Sequence, residues 1–90
     1  MALLDDVKAH LRVDGNESDE LLKRLIASAT SECMAYMEID EGDYRLEKPD
    51  VITGIVLVVQ ADYDGDPAKR SAYIAAARSL WDLHAPYAGV

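Results

Sequence analysis

The chain has little cysteine, few cations and no long hydrophobic run, and each shortage excludes something. A single cysteine, Cys33, stands in 90 residues, which rules out an intrachain disulfide and fits a reducing compartment. Lys and Arg number 9 against 17 Asp and Glu, a formal net charge of −8. The Lys/Arg clusters that bind phosphate are therefore missing, and capture of nucleic acid is not expected. No apolar stretch approaches the roughly 20 residues a membrane-spanning helix needs. The opening MALLDDVKAH has neither the basic start nor the apolar core of a signal peptide, so a soluble protein made inside the cell is expected. No Gly-rich phosphate loop, nucleophile elbow or dinucleotide fingerprint occurs. His10 and His84 have no Cys or second His at ligand spacing, which leaves a zinc site unsupported. The expectation is a protein without catalytic site, metal or cofactor.

What is present begins with Val51–Ala61, VITGIVLVVQA, in which only Thr53 and Gln60 carry polar side chains. Such a run contributes more apolar burial than any other segment, so the rest of the chain must cover it. Its β-branched residues Ile52, Ile55, Val56, Val58 and Val59 read as a buried strand by propensity. Its length and its lack of alternation read as a helix. Periodicity leaves both open.

The flanking segments are clearer. Leu3, Leu4, Val7 and Leu11 recur at helical spacing, with Asp5 and Asp6 in the first turn, and this short helix should end near Val13. Asp14-Gly15-Asn16 is turn chemistry, and Ser18 or Asn16 can cap the next helix. From Asp19 to Met37, an apolar stripe of Leu21, Leu22, Leu25, Ile26, Ala29, Cys33, Tyr36 and Met37 follows the 3.6-residue period. Cys33 on that stripe reads as a small core residue. Ile39–Asp50, with five acidic residues, Gly42 and Pro49, reads as an exposed acidic loop. Within it, Tyr44 and Leu46 alternate with Arg45 and Glu47, which allows a short extended piece. Pro49-Asp50 looks like a helix start.

Asp62, Asp64 and Asp66 alternate as in a calcium loop, but Pro67 and Tyr73 occupy the places where an EF-hand needs Gly and Glu. The structural reading fits better: Gly65 ends one helix, Asp66 caps the next and Pro67 opens it. The last helix should run from Pro67 to about His84, with Ala72, Tyr73, Ala76, Leu80 and Leu83 on one face, followed by a non-helical tail over 85–90. Trp81, Pro86 and Tyr87 gather near that tail. Trp81 can complete the core of a small helical domain, or the three can anchor a partner. The charge is lopsided: residues 1–50 carry 13 acids and 6 bases, the remainder 4 and 3. That is either a solubilising surface or an acidic wall past which nucleic acid slides without sticking.

Three stretches carry a family likeness. LLDDVKAHLRVDGNESDELLKRLIASATSEC resembles the short helix, acidic turn and long second helix of the head–tail connector (adaptor, or head-completion) proteins of tailed bacteriophages. PDVITGIVLVVQADYDG resembles their apolar third helix, and SLWDLHAPYAGV their closing turn and APY-type tail. The chain departs from the family at Asp64-Gly65-Asp66-Pro67, where an acidic-then-arginine stretch is common, and at Ala88, where a basic residue often stands.

The resemblance implies an all-α bundle of about four helices in one domain, residues 1–90, with an acidic loop between helices 2 and 3 and a flexible tail over 85–90. It implies a structural virion protein, made in the host cytoplasm, that forms a ring, typically a dodecamer, beneath the portal. Such a ring extends the channel through which genomic DNA passes and joins the head to a stopper or tail-completion protein. Expected partners are other copies of the chain, the portal and the stopper, with no membrane. The expected contact residues are Glu41, Asp43, Tyr44, Arg45, Trp81, Pro86 and Tyr87. The competing reading is a small acidic regulatory or adaptor module with a single protein partner.

Overall fold

A computed structural model describes residues 3–84. Among them are four α-helices, α1 (Leu3–Leu11), α2 (Asp19–Met37), α3 (Pro49–Asp64) and α4 (Pro67–Asp82), a 3-10 helix over Tyr44–Glu47, and no strand. The fold is all-α, as expected. The tail over 85–90, with Pro86 and Tyr87, lies outside the described residues.

The apolar run is the central helix. Pro49 takes the first helical position, where its missing N–H removes nothing and its fixed φ suits the helix. Lys48 before it is extended, as a residue preceding proline prefers. Val51, Gly54, Ile55, Val56, Val58, Val59 and Ala61 are all buried, because α1, α2, α4 and the 3-10 helix pack around α3 from different sides. Gly65 ends the helix in the left-handed region at φ 68°, and its N–H bonds Ala61 O. Asp66 then accepts from the Ala68 N–H at 3.0 Å and Pro67 opens α4. Asp62 bonds Arg70 across the elbow at 3.1 Å. Two of the three alternating aspartates are thus engaged in building a turn.

The stripe on α2 faces α3, with Leu22, Ala29, Cys33 and Met37 fully buried. Burial pushes the Cys33 thiol up to about 12, and its Sγ lies 3.6 Å from Met37 Sδ. It is a small core residue.

Four local expectations need correction. Ser18 occupies the N-cap of α2 without a side-chain cap bond, because its φ and ψ of −100° and 5° are not the extended values that aim the hydroxyl at the helix. The turn is instead clipped by Lys8, whose Nζ bonds Gly15 O at 2.6 Å and Asp19 Oδ1 at 2.8 Å. Ile39 is buried instead of opening an exposed loop. Glu38 turns left-handed at φ 58°, the Ile39 N–H reaches back to Met34 O at 3.0 Å, and this C-capping turn folds Ile39 onto the core. Tyr44–Glu47 is 3-10 helix and not an extended piece, because Asp43 Oδ1 accepts from the Arg45 N–H at 2.9 Å and winds the chain. Finally, α4 presents Ala77 and Trp81 to the core, with Ile74 beside them. Ala72, Ala76 and Leu83 face outward, and Leu83 is 66% exposed.

Trp81 locks α4 to α3. Its indole N–H donates to Val51 O at 3.1 Å, and its ring lies over Gly54, where a Cβ would overlap Nε1 and Cδ1. Gly54→Ala therefore sets helix propensity, which favours alanine by about 1 kcal/mol, against overpacking of about 1–3 kcal/mol. A net loss in urea unfolding is expected; a gain would show that the indole does not press on residue 54. Val59→Asp, at a position with no exposed surface, should leave the chain unfolded by circular dichroism, because it buries an unpaired charge.

Candidate functional site

One polar corner lies where the 3-10 helix, the start of α3 and the end of α4 meet. Asp43 and Arg45 form its centre. Arg45 Nε donates to Asp43 Oδ1 at 2.9 Å and Nη2 to Oδ2 at 2.7 Å, a two-pronged ion pair on half-buried side chains. These hydrogen bonds from the Arg45 side chain, with a further one from its backbone N–H, hold the Asp43 carboxyl down to about 2. The third guanidinium nitrogen, Nη1, donates to His84 O at 3.4 Å. His84 Nε2 in turn bonds Asp50 Oδ2 in the first turn of α3 at 3.1 Å. Residues 43, 45, 50 and 84 thus form one chain of bonds.

Tyr44 projects from this corner, 69% exposed. The Arg45 guanidinium and the Lys48 ammonium each lie 5.7 Å from its ring centroid, within range of a cation–π attraction. Glu41 is exposed on the preceding turn. The fold therefore brings Asp43, Tyr44 and Arg45 together, sets Glu41 nearby, and delivers the end of α4 to the same place. Trp81 is a correction. At 1% exposed, with its N–H already bonded inside, it is a core residue and offers no surface to a partner. Pro86 and Tyr87 lie outside the described residues, two and three positions beyond His84.

Sequence reasoning missed His84 and Asp50 at this corner. His84 is 39 residues from Arg45 and 34 from Asp50, so no local pattern links them. A second feature also went unread. A half-open groove of about 450 Å³ runs between α1 and α3, lined by Asp6, His10, Pro49, Ile52, Thr53 and Val56. His10 Nε2 hydrogen-bonds Gln60 Oε1 at 2.6 Å beyond Val56. Among the described residues, no three His, Cys, Asp or Glu side chains gather as a metal ion would require, and no helix is long and apolar enough to cross a membrane.

The Asp43 shift gives a pH expectation. A carboxyl whose folded value lies below its ordinary 3.8 adds stability above that ordinary value and loses it as pH falls through about 2. The corner should therefore stay closed from neutral pH down to about 4 and open only toward pH 2. Carboxyl NMR titration should find Asp43 near 2 in the native chain and near its ordinary value in Arg45→Ala. Equal titration in the two would show that the pair is not formed.

The family model described as Phage gp6-like head-tail connector protein matches residues 1–80. No curated protein sequence and no solved structure matches the chain. The matched span holds α1, α2, the 3-10 helix, α3 and α4 up to Leu80. It stops short of Trp81 and of the APY-type ending. Over eight-ninths of its length, the chain belongs to the Phage gp6-like head-tail connector family, structural proteins of the bacteriophage virion.

Proposed function

We propose that this chain is one subunit of a ring that sits beneath the portal, extends the DNA channel and joins the head to a stopper or tail-completion protein. What supports the reading most is the family match along residues 1–80. The physical character of the subunit agrees with it. With its net charge of −8 and no charged side chain buried among the described residues, the surface repels DNA instead of capturing it, as a channel wall should. A domain this small also gains stability from neighbours. Ring stoichiometry in this reading is that of a dodecamer, and the chain is made in the host cytoplasm before joining the virion.

Within this reading, Glu41, Asp43, Tyr44 and Arg45 form one contact surface with a partner, and Pro86 and Tyr87 in the tail reach the portal. Exposed Tyr44 is the natural anchor, since a large aromatic ring with a polar tip gains most from being covered. The alternative of a small regulatory or adaptor module is set aside, since the family is a structural one.

Purified protein added to portal-bearing heads that lack connectors should co-sediment with them and appear as a ring with a central hole by electron microscopy. Removing residues 85–90 should leave a folded subunit whose heads fail to retain DNA or accept tails. Normal completion by the truncated chain would remove the tail from the portal contact, and failure of the intact chain to bind heads would sink the reading altogether.

A further inference from the structure

Two surfaces of the subunit look in opposite directions across α3. Ile52 and Val56 stand two positions either side of Gly54, about 200° round the helix from it. The α1/α3 groove therefore opens on the side of α3 turned away from Trp81 and α4. On α4, Ala75 and Ser79 stand in the same way either side of the buried Ala77. With Ala68 and Ala72 they form an exposed stripe of small side chains at helical spacing, which exposed Leu83 continues. α1 and α4 do not pack together, so both surfaces stay open in one copy. They are also complementary. The groove has an apolar floor, Pro49, Ile52 and Val56, and on its rim the exposed carboxylate of Asp6 beside His10 and Thr53. The stripe is low, which lets a helix approach closely, and exposed Lys69 and Arg78 flank it. Arg78 rests over the Tyr36 ring, 5.1 Å from its centroid. Among the described residues no carboxylate forms an ion pair with Lys69 or Arg78, and no cation forms one with Asp6.

From this complementarity we propose that the α1/α3 groove receives the outer face of α4 from a second copy of the chain. The small-residue stripe lies on Ile52 and Val56, and Lys69 and Arg78 bring positive charge to Asp6. α4 suits this place because it carries three bases and one acid in a chain of net charge −8. A groove meeting another groove would instead set Asp6 against its own copy, like charge against like. Groove and stripe are different patches on opposite sides, so the contact is head to tail. Each copy gives α4 to one neighbour and its groove to the other. Such a contact closes into a ring or runs on as a filament, and does not stop at a pair. The inference rests on the ring reading above and names the contact that joins neighbouring subunits.

Disulfide trapping of the full-length chain on portal-bearing heads tests it, with electron microscopy showing whether a ring is present. Cysteines enter at Thr53 on the groove rim and at Ala75 on the stripe, and Cys33 is buried and does not compete. With oxidised glutathione, the chain carrying both Thr53→Cys and Ala75→Cys should give a ladder of covalent dimers, trimers and larger species. Its yield should be several-fold above that of a control pairing Thr53→Cys with Ser28→Cys on the exposed side of α2. Either Thr53→Cys or Ala75→Cys alone should give almost no dimer, and Asp6→Lys should cut the ladder several-fold. A ring in which the two pairs react equally would overturn this contact and leave the ring reading standing, whereas the absence of any ring would remove both. Strong dimerisation through Thr53→Cys alone would assign the groove to a symmetric contact. A Thr53→Cys thiol shielded from maleimide without forming the disulfide would assign it to another virion protein. Either result overturns the proposal.

Discussion

Trp81 against Gly54 is the contact on which the arrangement of the other elements rests. An indole buried without a partner for its N–H loses stability. Here the donor finds the Val51 carbonyl, which has a second lone pair available beyond its helical bond. The ring can reach that carbonyl only because residue 54 lacks a side chain. Once it is seated, the register of α4 is settled. Asp82, one residue on, meets the Tyr36 hydroxyl of α2 at 2.8 Å, and Tyr36 leans on the indole with ring centroids 5.9 Å apart. His84, three residues on, meets Asp50 and Arg45. The polar corner is thus a consequence of an apolar contact.

Among the described residues the interior holds no polar or charged side chain, and no buried side-chain nitrogen or oxygen lacks a hydrogen bond. The charge lies entirely outside, and the Lys8 clip, the Asp43–Arg45 pair and the Asp62–Arg70 link each fasten a turn at the rim. Such pairs add little to stability individually when exposed, but they decide where loops lie. A connector must present a reproducible surface to its neighbours, and fastening the turns at modest energetic gain suits that need.

Much of this was legible in the sequence because it is local. The α2 stripe is a pure 3.6-residue pattern, and the Gly65-Asp66-Pro67 elbow is read from three residues whose backbone preferences admit few alternatives. Glu38 hid the C-cap of α2, since a glycine would ordinarily mark the left-handed position that Glu38 takes at φ 58°. The seam of α4 was hidden differently. Alanines stand on most sides of that helix, so its pattern has no strong direction, and a contact with Gly54, 27 positions earlier, decides which face turns inward. At the polar corner, the links between residues 34 and 39 positions apart carry no local sequence signal.

The ambiguity of the apolar run has the same physical root, and its resolution explains the whole architecture. β-branched residues in a helix cost about half a kcal/mol each relative to alanine, whereas full burial of each contributes roughly 1.5–3 kcal/mol. Propensity therefore loses wherever burial is complete. A strand here would need partners for its backbone N–H and C=O groups, and among the described residues no second segment pairs with it as a strand. A helix satisfies those groups within itself and leaves every side free to be packed. A helix that is apolar nearly all round must in turn be surrounded, so α1 and α4 take separate sides of it and α2 a third. Among the described residues, the groove beside α1 and the corner beside α4 are places where that covering of α3 is incomplete or only polar.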